Sequence, residues 1–185
     1  MTILHIDSSI NGDNSVSRVL TQSIVDQLRA ADPDAEVIAR DLAREPLPHL
    51  TLDAFADSST IDEFLDADTV VIGAPMYNFT LPSQLKAWID RILVAGKTFS
   101  YSADGPAGLA GGKRVIAAVS RGGFYDDASA LEHVETYLNG VFKFIGIAPE
   151  FVHADGINYG PEQREAGIAN GLAEVEQLEF ERLAA

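Results

Sequence analysis

No cysteine occurs among the 185 residues. Its absence removes a disulfide framework, a thiolate metal site and a cysteine nucleophile, and it suits a reducing compartment. Basic residues are scarce: 13 Lys and Arg stand against 28 Asp and Glu, for a formal net charge of -15. A surface of that sign repels nucleic acid and anionic membrane, so neither is expected as a partner. The acids are scattered and form no acidic tail. No apolar run reaches the ~20 residues of a membrane span. The start, MTILHIDSSING, lacks the cationic and long apolar regions of a signal peptide. A soluble, cytoplasmic protein is expected.

Several chemical signatures are also missing. No G-x-G-x-x-G or G-x-S-x-G occurs. Gly108-Leu109-Ala110-Gly111-Gly112-Lys113 looks like the end of a P-loop, but Ala107 stands where its first glycine belongs and Arg114 replaces Ser/Thr. His5, His49, His133 and His153 are far apart and lack ligand spacing. No metal site and no Ser-His-Asp set is read, which leaves an α/β hydrolase or phosphatase without a nucleophile and its base.

What is present is alternation. Apolar runs at residues 3–6, 36–40, 70–74, 114–120 and 150–153 read as strands, the third being fully apolar as buried parallel strands are. Helical periodicity fills the intervals. Val16, Val19, Leu20, Ile24, Leu28 and Ala31 share one face, ended by Asp32-Pro33-Asp34. A second helix begins near Thr60. A third follows Pro82 with Leu85, Trp88, Ile89, Ile92 and Leu93, and a fourth is marked by Leu131, Val134, Leu138, Val141, Phe142 and Ile145. Pro161 opens a long acidic helix of weaker amphipathicity. Residues 44–59 and 96–112 read as loops. Strands alternating with helices imply one α/β domain over residues 1–185, a doubly wound sheet of five parallel strands with helices on both faces. Ligands in such sheets bind beyond the carboxyl ends of the strands.

Three loops lie there. After the first strand, residues 8–17 (SSINGDNSVS) are dense in hydroxyls and amides and lead into a helix N-terminus with Ser15 as its cap, a setting that favours a phosphate. With no basic residue before Arg18, neutral donors suit a monophosphate better than a triphosphate. After the third strand, Pro75-Met76-Tyr77-Asn78-Phe79 offers aromatic faces and an amide to a flat ring. After the fourth, Ser120-Arg121-Gly122-Gly123-Phe124-Tyr125 lets backbone amides approach a ligand closely.

With these loops in order, the sequence resembles the FMN-dependent NADH-azoreductase family, a flavodoxin-like branch of the quinone reductases. The resemblance spans nearly the whole chain. Ala74-Pro75-Met76-Tyr77-Asn78-Phe79 carries it most specifically, followed by Pro82, Gln84-Leu85-Lys86 and Asp90. Ser8-Ser9 with Ser15-x-Ser17, Phe99-x-Tyr101 before Gly105-Pro106-x-Gly108-Leu109, Ser120-Arg121-Gly122-Gly123 and Gly156-Ile157-x-Tyr159-Gly160-Pro161-Glu162 support it.

The resemblance implies a flavodoxin-like fold that binds FMN and takes electrons from NADH or NADPH. It implies that Ser9, Ser15, Val16 and Ser17 hold the FMN phosphate. The loop of Pro75, Met76, Tyr77, Asn78 and Phe79 would contact the isoalloxazine, and Ser120, Arg121, Gly122 and Gly123 its pyrimidine side. It further implies a homodimer with active sites at the subunit interface, where Phe99, Phe124 and Tyr125 would wall the pocket for a quinone or azo acceptor. The expected reaction is ping-pong hydride transfer through the flavin, with no side chain assigned as an obligatory acid or base. Asn78→Leu is expected to weaken FMN binding. Two departures stand out: Val16 offers only its backbone where relatives often carry a polar side chain, and residues 50–62 form a shorter segment than in many relatives. An acidic one-electron FMN carrier with no small substrate of its own is the alternative.

Overall fold

The computed structural model describes residues 1–103, 105–125 and 129–180. In chain order the strands are β1 Thr2–Asp7, β2 Glu36–Asp41, β3 Thr69–Pro75, β4 Phe99–Ser102, β5 Gly105–Gly108, β6 Arg114–Ser120 and β7 Glu150–Ala154. The helices are α1 Val16–Ala31, α2 Ser59–Asp66, α3 Ser83–Ile92, α4 Glu135–Phe144 and α5 Pro161–Gln177. Five strands form one parallel sheet in the order β2-β1-β3-β6-β7. The order reverses beside β1, and that switch point puts a crevice at the carboxyl ends of β1 and β3.

Period-two alternation divides the apolar side chains between two cores. Ile3, Val71, Ile116 and Val152 point to one face and pack under α1 and α5 with Leu20, Ile24, Leu28 and Val175. Leu4, Ile6, Val70, Ile72, Val115, Ala117 and Val119 point to the other, under α2, α3 and α4 with Phe64, Leu85, Trp88, Ile89, Leu138 and Phe142. Every residue of β3 is buried, as its unbroken apolar run requires.

Helix α5 explains its own weak amphipathicity. Its buried residues are Gly167, Gly171 and Val175, one per turn. A Cβ on Gly171 would come within 2.8 Å of the His153 carbonyl oxygen and 2.9 Å of Leu20. The helix is held against β7 and α1 by close backbone approach, a contact that hydrophobicity scales do not register.

Three expectations need correction. Residues 96–112 are not all loop: β4 and β5 pair antiparallel, Phe99 opposite Gly108 and Tyr101 opposite Pro106. Pro106 is tolerated because this two-stranded unit consists of edges only. Val19 does not share the buried face of α1, being 41% exposed, because the stripe centres on Val16, Leu20 and Ile24. Helix α4 starts at Glu135, after Leu131 and Val134. Its first turn is held by the Glu132 carboxylate, which accepts from the amides of Val134 at 3.0 Å, Glu135 at 2.9 Å and Thr136 at 3.0 Å. An acidic side chain reaching forward into the first turn of a helix satisfies amides that have no intrahelical acceptor.

Candidate functional site

The loop leaving β1 is fixed from behind. Ser8 Oγ donates to the Gly73 carbonyl at 2.6 Å. Thr21 Oγ1 donates to Asp7 Oδ1 at 3.1 Å. Arg18 donates from Nη1 to Asp7 at 3.2 Å, and from Nη2 to Asp41 at 2.8 Å and the Ser9 carbonyl at 3.0 Å. The Asp41 bond raises the Arg18 pKa above its ordinary value. This guanidinium is committed to two carboxylates and serves the loop as an anchor.

In front, the chain makes a short 3₁₀ turn at Gly12–Asn14 and enters α1 through Ser15. Ser15 Oγ accepts the Arg18 amide at 3.3 Å, as an N-cap should, and lies 3.1 Å from Ser17 Oγ. The amides of Val16 and Ser17, in the first turn, have no intrahelical acceptor. These donors at the positive end of the helix dipole form a setting for an anion.

The second loop is tied to both its neighbours. Met76 N donates to the Ser120 carbonyl at 2.8 Å. Tyr77 Oη lies 3.1 Å from Ser9 Oγ and accepts the Ile10 amide at 3.1 Å. Tyr77 and Thr80 exchange backbone hydrogen bonds of 2.9 and 3.2 Å, closing a tight turn over Asn78 and Phe79. Both central residues have left-handed backbones, with φ of 49° and 71°. Such a primed turn ordinarily selects Asn-Gly. Asn78 adopts it with little strain, whereas Phe79 carries a cost of roughly 1–2 kcal/mol for a left-handed residue with a side chain. The turn presents the Phe79 ring, 44% exposed, beside Tyr125 at 6.5 Å in an edge-to-face contact.

The third loop is laced to the segment after β7. The amides of Gly156, Ile157 and Asn158 donate to the carbonyls of Gly123, Arg121 and Gly122. A Cβ on Gly122 would sit 2.4 Å from Asn158 Nδ2, so glycine is what allows Asn158 to lie against this loop. The Arg121 side chain turns inward and is buried. It forks onto Asp155 with bonds of 2.6 and 2.9 Å, and Glu135 lies 3.8 Å away. Burial disfavours its charge, but Asp155, Glu135 and Glu132 outweigh that effect and hold its pKa above the ordinary value.

The three loops meet in one crevice of about 110 Å³. Of the residues expected from sequence, Ser9, Ser15, Val16, Pro75, Met76, Tyr77, Ser120 and Gly122 line it. Ser17 is buried behind Ser15, and the Arg121 side chain points away. Asn78 and Phe79 stand beside the crevice on their turn, and Gly123 lies under the Tyr125 ring. Phe124 stacks on Tyr159 with centroids 5.7 Å apart. Phe99 is not brought to this crevice: it packs on Phe144 at 4.8 Å and Tyr101 at 5.5 Å beneath the β4–β5 hairpin. Asn11, Asn14, Ile157, Asn158 and Arg164 also line the crevice, and sequence reasoning had assigned none of them. Asn11 and Asn14 belong to the polar loop after β1, and Ile157 and Asn158 to the stretch Gly156 to Glu162. Arg164 has no local signal. It adds a guanidinium to the crevice, which α5 delivers to a loop far from it in sequence.

A family profile described as flavodoxin-like fold matches residues 1–178. The chain is 54% identical to FMN-dependent NADH:quinone oxidoreductase 2 of Bradyrhizobium diazoefficiens, over 97% of this chain and 99% of that protein. Its structure is similar to that of an azoreductase from Bacillus anthracis, with a TM-score of 0.87, 29% identity and coverage of 96% of this chain and 97% of the other. A second Bacillus anthracis protein, an FMN-dependent NADH-azoreductase solved in complex with FMN, shares the fold with a TM-score of 0.83 at 24% identity, over 96% of this chain and 97% of that one. By the family profile over residues 1–178 and the 54% identity to the Bradyrhizobium diazoefficiens enzyme, the chain belongs to the flavodoxin-like family of quinone reductases and azoreductases.

Proposed function

We propose that this chain is an FMN-dependent NAD(P)H oxidoreductase that reduces quinones and azo compounds by two-electron transfer, its two substrates taking turns at one site. The observation that carries the reading is convergence. Three strand-end loops, tied together by the Ser9–Tyr77 and Met76–Ser120 contacts, present hydroxyls, amides and aromatic faces to a single crevice.

The donor set fits a phosphorylated flavin. First-turn amides of Val16 and Ser17, with Ser9, Ser15 and Asn14, suit a phosphate. Met76 and Tyr77 suit the flat ring, and Asn158, seated against Gly122 where a Cβ would otherwise stand, offers an amide to its polar edge. Bound FMN would supply the hydride chemistry. The chain contributes position: Tyr77 is held by Ser9 and Ile10, the Asn78-Phe79 turn aims an aromatic rim, and loop amides meet developing negative charge.

The crevice is smaller than the ~300–1,000 Å³ usual for a drug-sized ligand. It would take the phosphate end, and on the segments next to it Phe79, Phe124 and Tyr159 are exposed by 44%, 64% and 68%. Exposed aromatics of that kind mark an interaction surface. We infer a homodimer in which a second copy closes each site and walls the acceptor pocket. Those aromatics favour an enzyme with its own acceptor over a carrier. Residues 1–185 act as one FMN-binding domain, and the cysteine-free composition suits the cytoplasm. Among the described residues no helix is long and apolar enough to cross a membrane.

Purified protein mixed with FMN should retain flavin absorbance through gel filtration and elute at twice the 19.8 kDa chain mass. It should oxidise NADH only when menadione or an azo dye is added. A colourless protein that passes through FMN unchanged would overturn the reading.

A further inference from the structure

Arg164 lies in the first turn of α5, its amide bonded to the Gly160 carbonyl at 3.0 Å. Its Nη2 donates to the Asn14 carbonyl at 2.7 Å, across 150 residues of sequence. Asn14 immediately precedes the cap of α1. The guanidinium therefore stands over the entrance of the helix whose first amides face the crevice, and it lines that crevice itself. A guanidinium has five N–H donors in a planar fork. Among the described residues only the Asn14 carbonyl accepts a hydrogen bond from this one, and no carboxylate pairs with it.

The other two arginines near the loops behave differently. Arg18 is bound by Asp7 and Asp41, and Arg121 by Asp155. Arg164 instead brings to the crevice a charge that no carboxylate among the described residues neutralises, which leaves most of its fork available to an anionic ligand. The remaining donors suit a tetrahedral dianion, which an arginine fork meets in bidentate fashion.

We infer that Arg164 is the cationic ligand of the cofactor phosphate and that it makes the site select a phosphorylated flavin over riboflavin. This rests on the flavin reading above. The competing role is a purely mechanical clamp on the loop through the Asn14 carbonyl. Gln at this position can still donate a hydrogen bond to that carbonyl but carries no charge. Lys keeps the charge and loses the fork.

The test is a fluorescence titration of wild type, Arg164→Gln and Arg164→Lys with FMN and with riboflavin, at low and high salt, on proteins whose circular dichroism matches. Wild type should prefer FMN. Arg164→Gln should lose roughly 10- to 100-fold in FMN affinity, the size of one charge-assisted bond, and leave riboflavin affinity within about 2-fold. Its FMN affinity should also depend less on salt. Arg164→Lys should recover most of the loss. An Arg164→Gln protein that binds FMN like wild type overturns the inference while the flavin reading stands. So does equal loss of FMN and riboflavin, or an Arg164→Lys protein no better than Arg164→Gln, since each assigns the residue to loop architecture. If wild type binds neither flavin, the flavin reading itself falls.

Discussion

Ser9 Oγ and Tyr77 Oη lie 3.1 Å apart, and the same phenol oxygen accepts the Ile10 amide. One side chain from the loop after β3 thus sets the shape of the loop after β1. Tyr77→Phe keeps the ring and removes both bonds. A bond of this kind contributes ~1 kcal/mol net. The variant should fold normally and bind FMN about 5- to 10-fold more weakly, read by flavin fluorescence. An unchanged affinity would mean that the phenol oxygen only shapes an unliganded loop.

The left-handed backbone of Asn78 changes how its role must be tested. Asn78→Leu removes the amide, but it also forces a branched side chain into φ of 49°. That costs roughly 1–2 kcal/mol in the turn whether or not flavin is bound. Asn78→Gly separates the two effects, because glycine prefers this conformation. Its thermal midpoint should stay level or rise, while FMN affinity falls if the amide meets the flavin. A glycine variant with full FMN affinity would assign Asn78 to the turn alone.

The strands and the three loops were legible because their signals are local. Buried parallel strands such as β3 announce themselves as apolar runs, and the first turn of α1 by its serines. The β4–β5 hairpin was hidden by its glycines and proline, which also mark loops. Arg164 was hidden for a different reason. Its position depends on α5 docking through Gly167 and Gly171 onto β7, a long-range packing event with no counterpart in the residues next to it. The inward turn of Arg121 has the same origin, since Asp155 and Glu135 come from β7's following loop and from α4.

Glu132 gives a pH prediction with a definite sign. Burial raises its pKa, but hydrogen bonds from the amides of Glu135, Thr136 and Val134 outweigh burial and hold the carboxyl below its ordinary value. A depressed folded value adds stability in full above the unfolded carboxyl range of ~4.3. That stability is lost as pH falls through the folded value. Glu132→Gln should therefore cost ~1–3 kcal/mol near neutrality, the range for unsatisfied buried groups. The gap between wild type and variant should narrow in acid. Urea unfolding at several pH values measures it, and a gap independent of pH would show that the charge on Glu132 contributes nothing.

Gly171 tests whether backbone approach, not apolar area, seats α5. Alanine is the better helix former by about 1 kcal/mol, so on an exposed helix Gly→Ala would stabilise. Here the added Cβ meets a β7 carbonyl at 2.8 Å and Leu20 carbons at 2.9 and 3.0 Å. The carbonyl cannot move without disturbing the strand, so overpacking of ~1–3 kcal/mol should exceed the propensity gain. Gly140 in α4 is the control, since a Cβ there meets nothing within 4 Å. Gly140→Ala should raise the thermal midpoint, and Gly171→Ala should lower it. Because α5 also carries Arg164, the Gly171 variant should weaken FMN binding more than riboflavin binding, although it touches no residue of the crevice. A Gly171→Ala protein as stable as Gly140→Ala would show that α5 sits farther from the sheet than the contacts at Gly171 require.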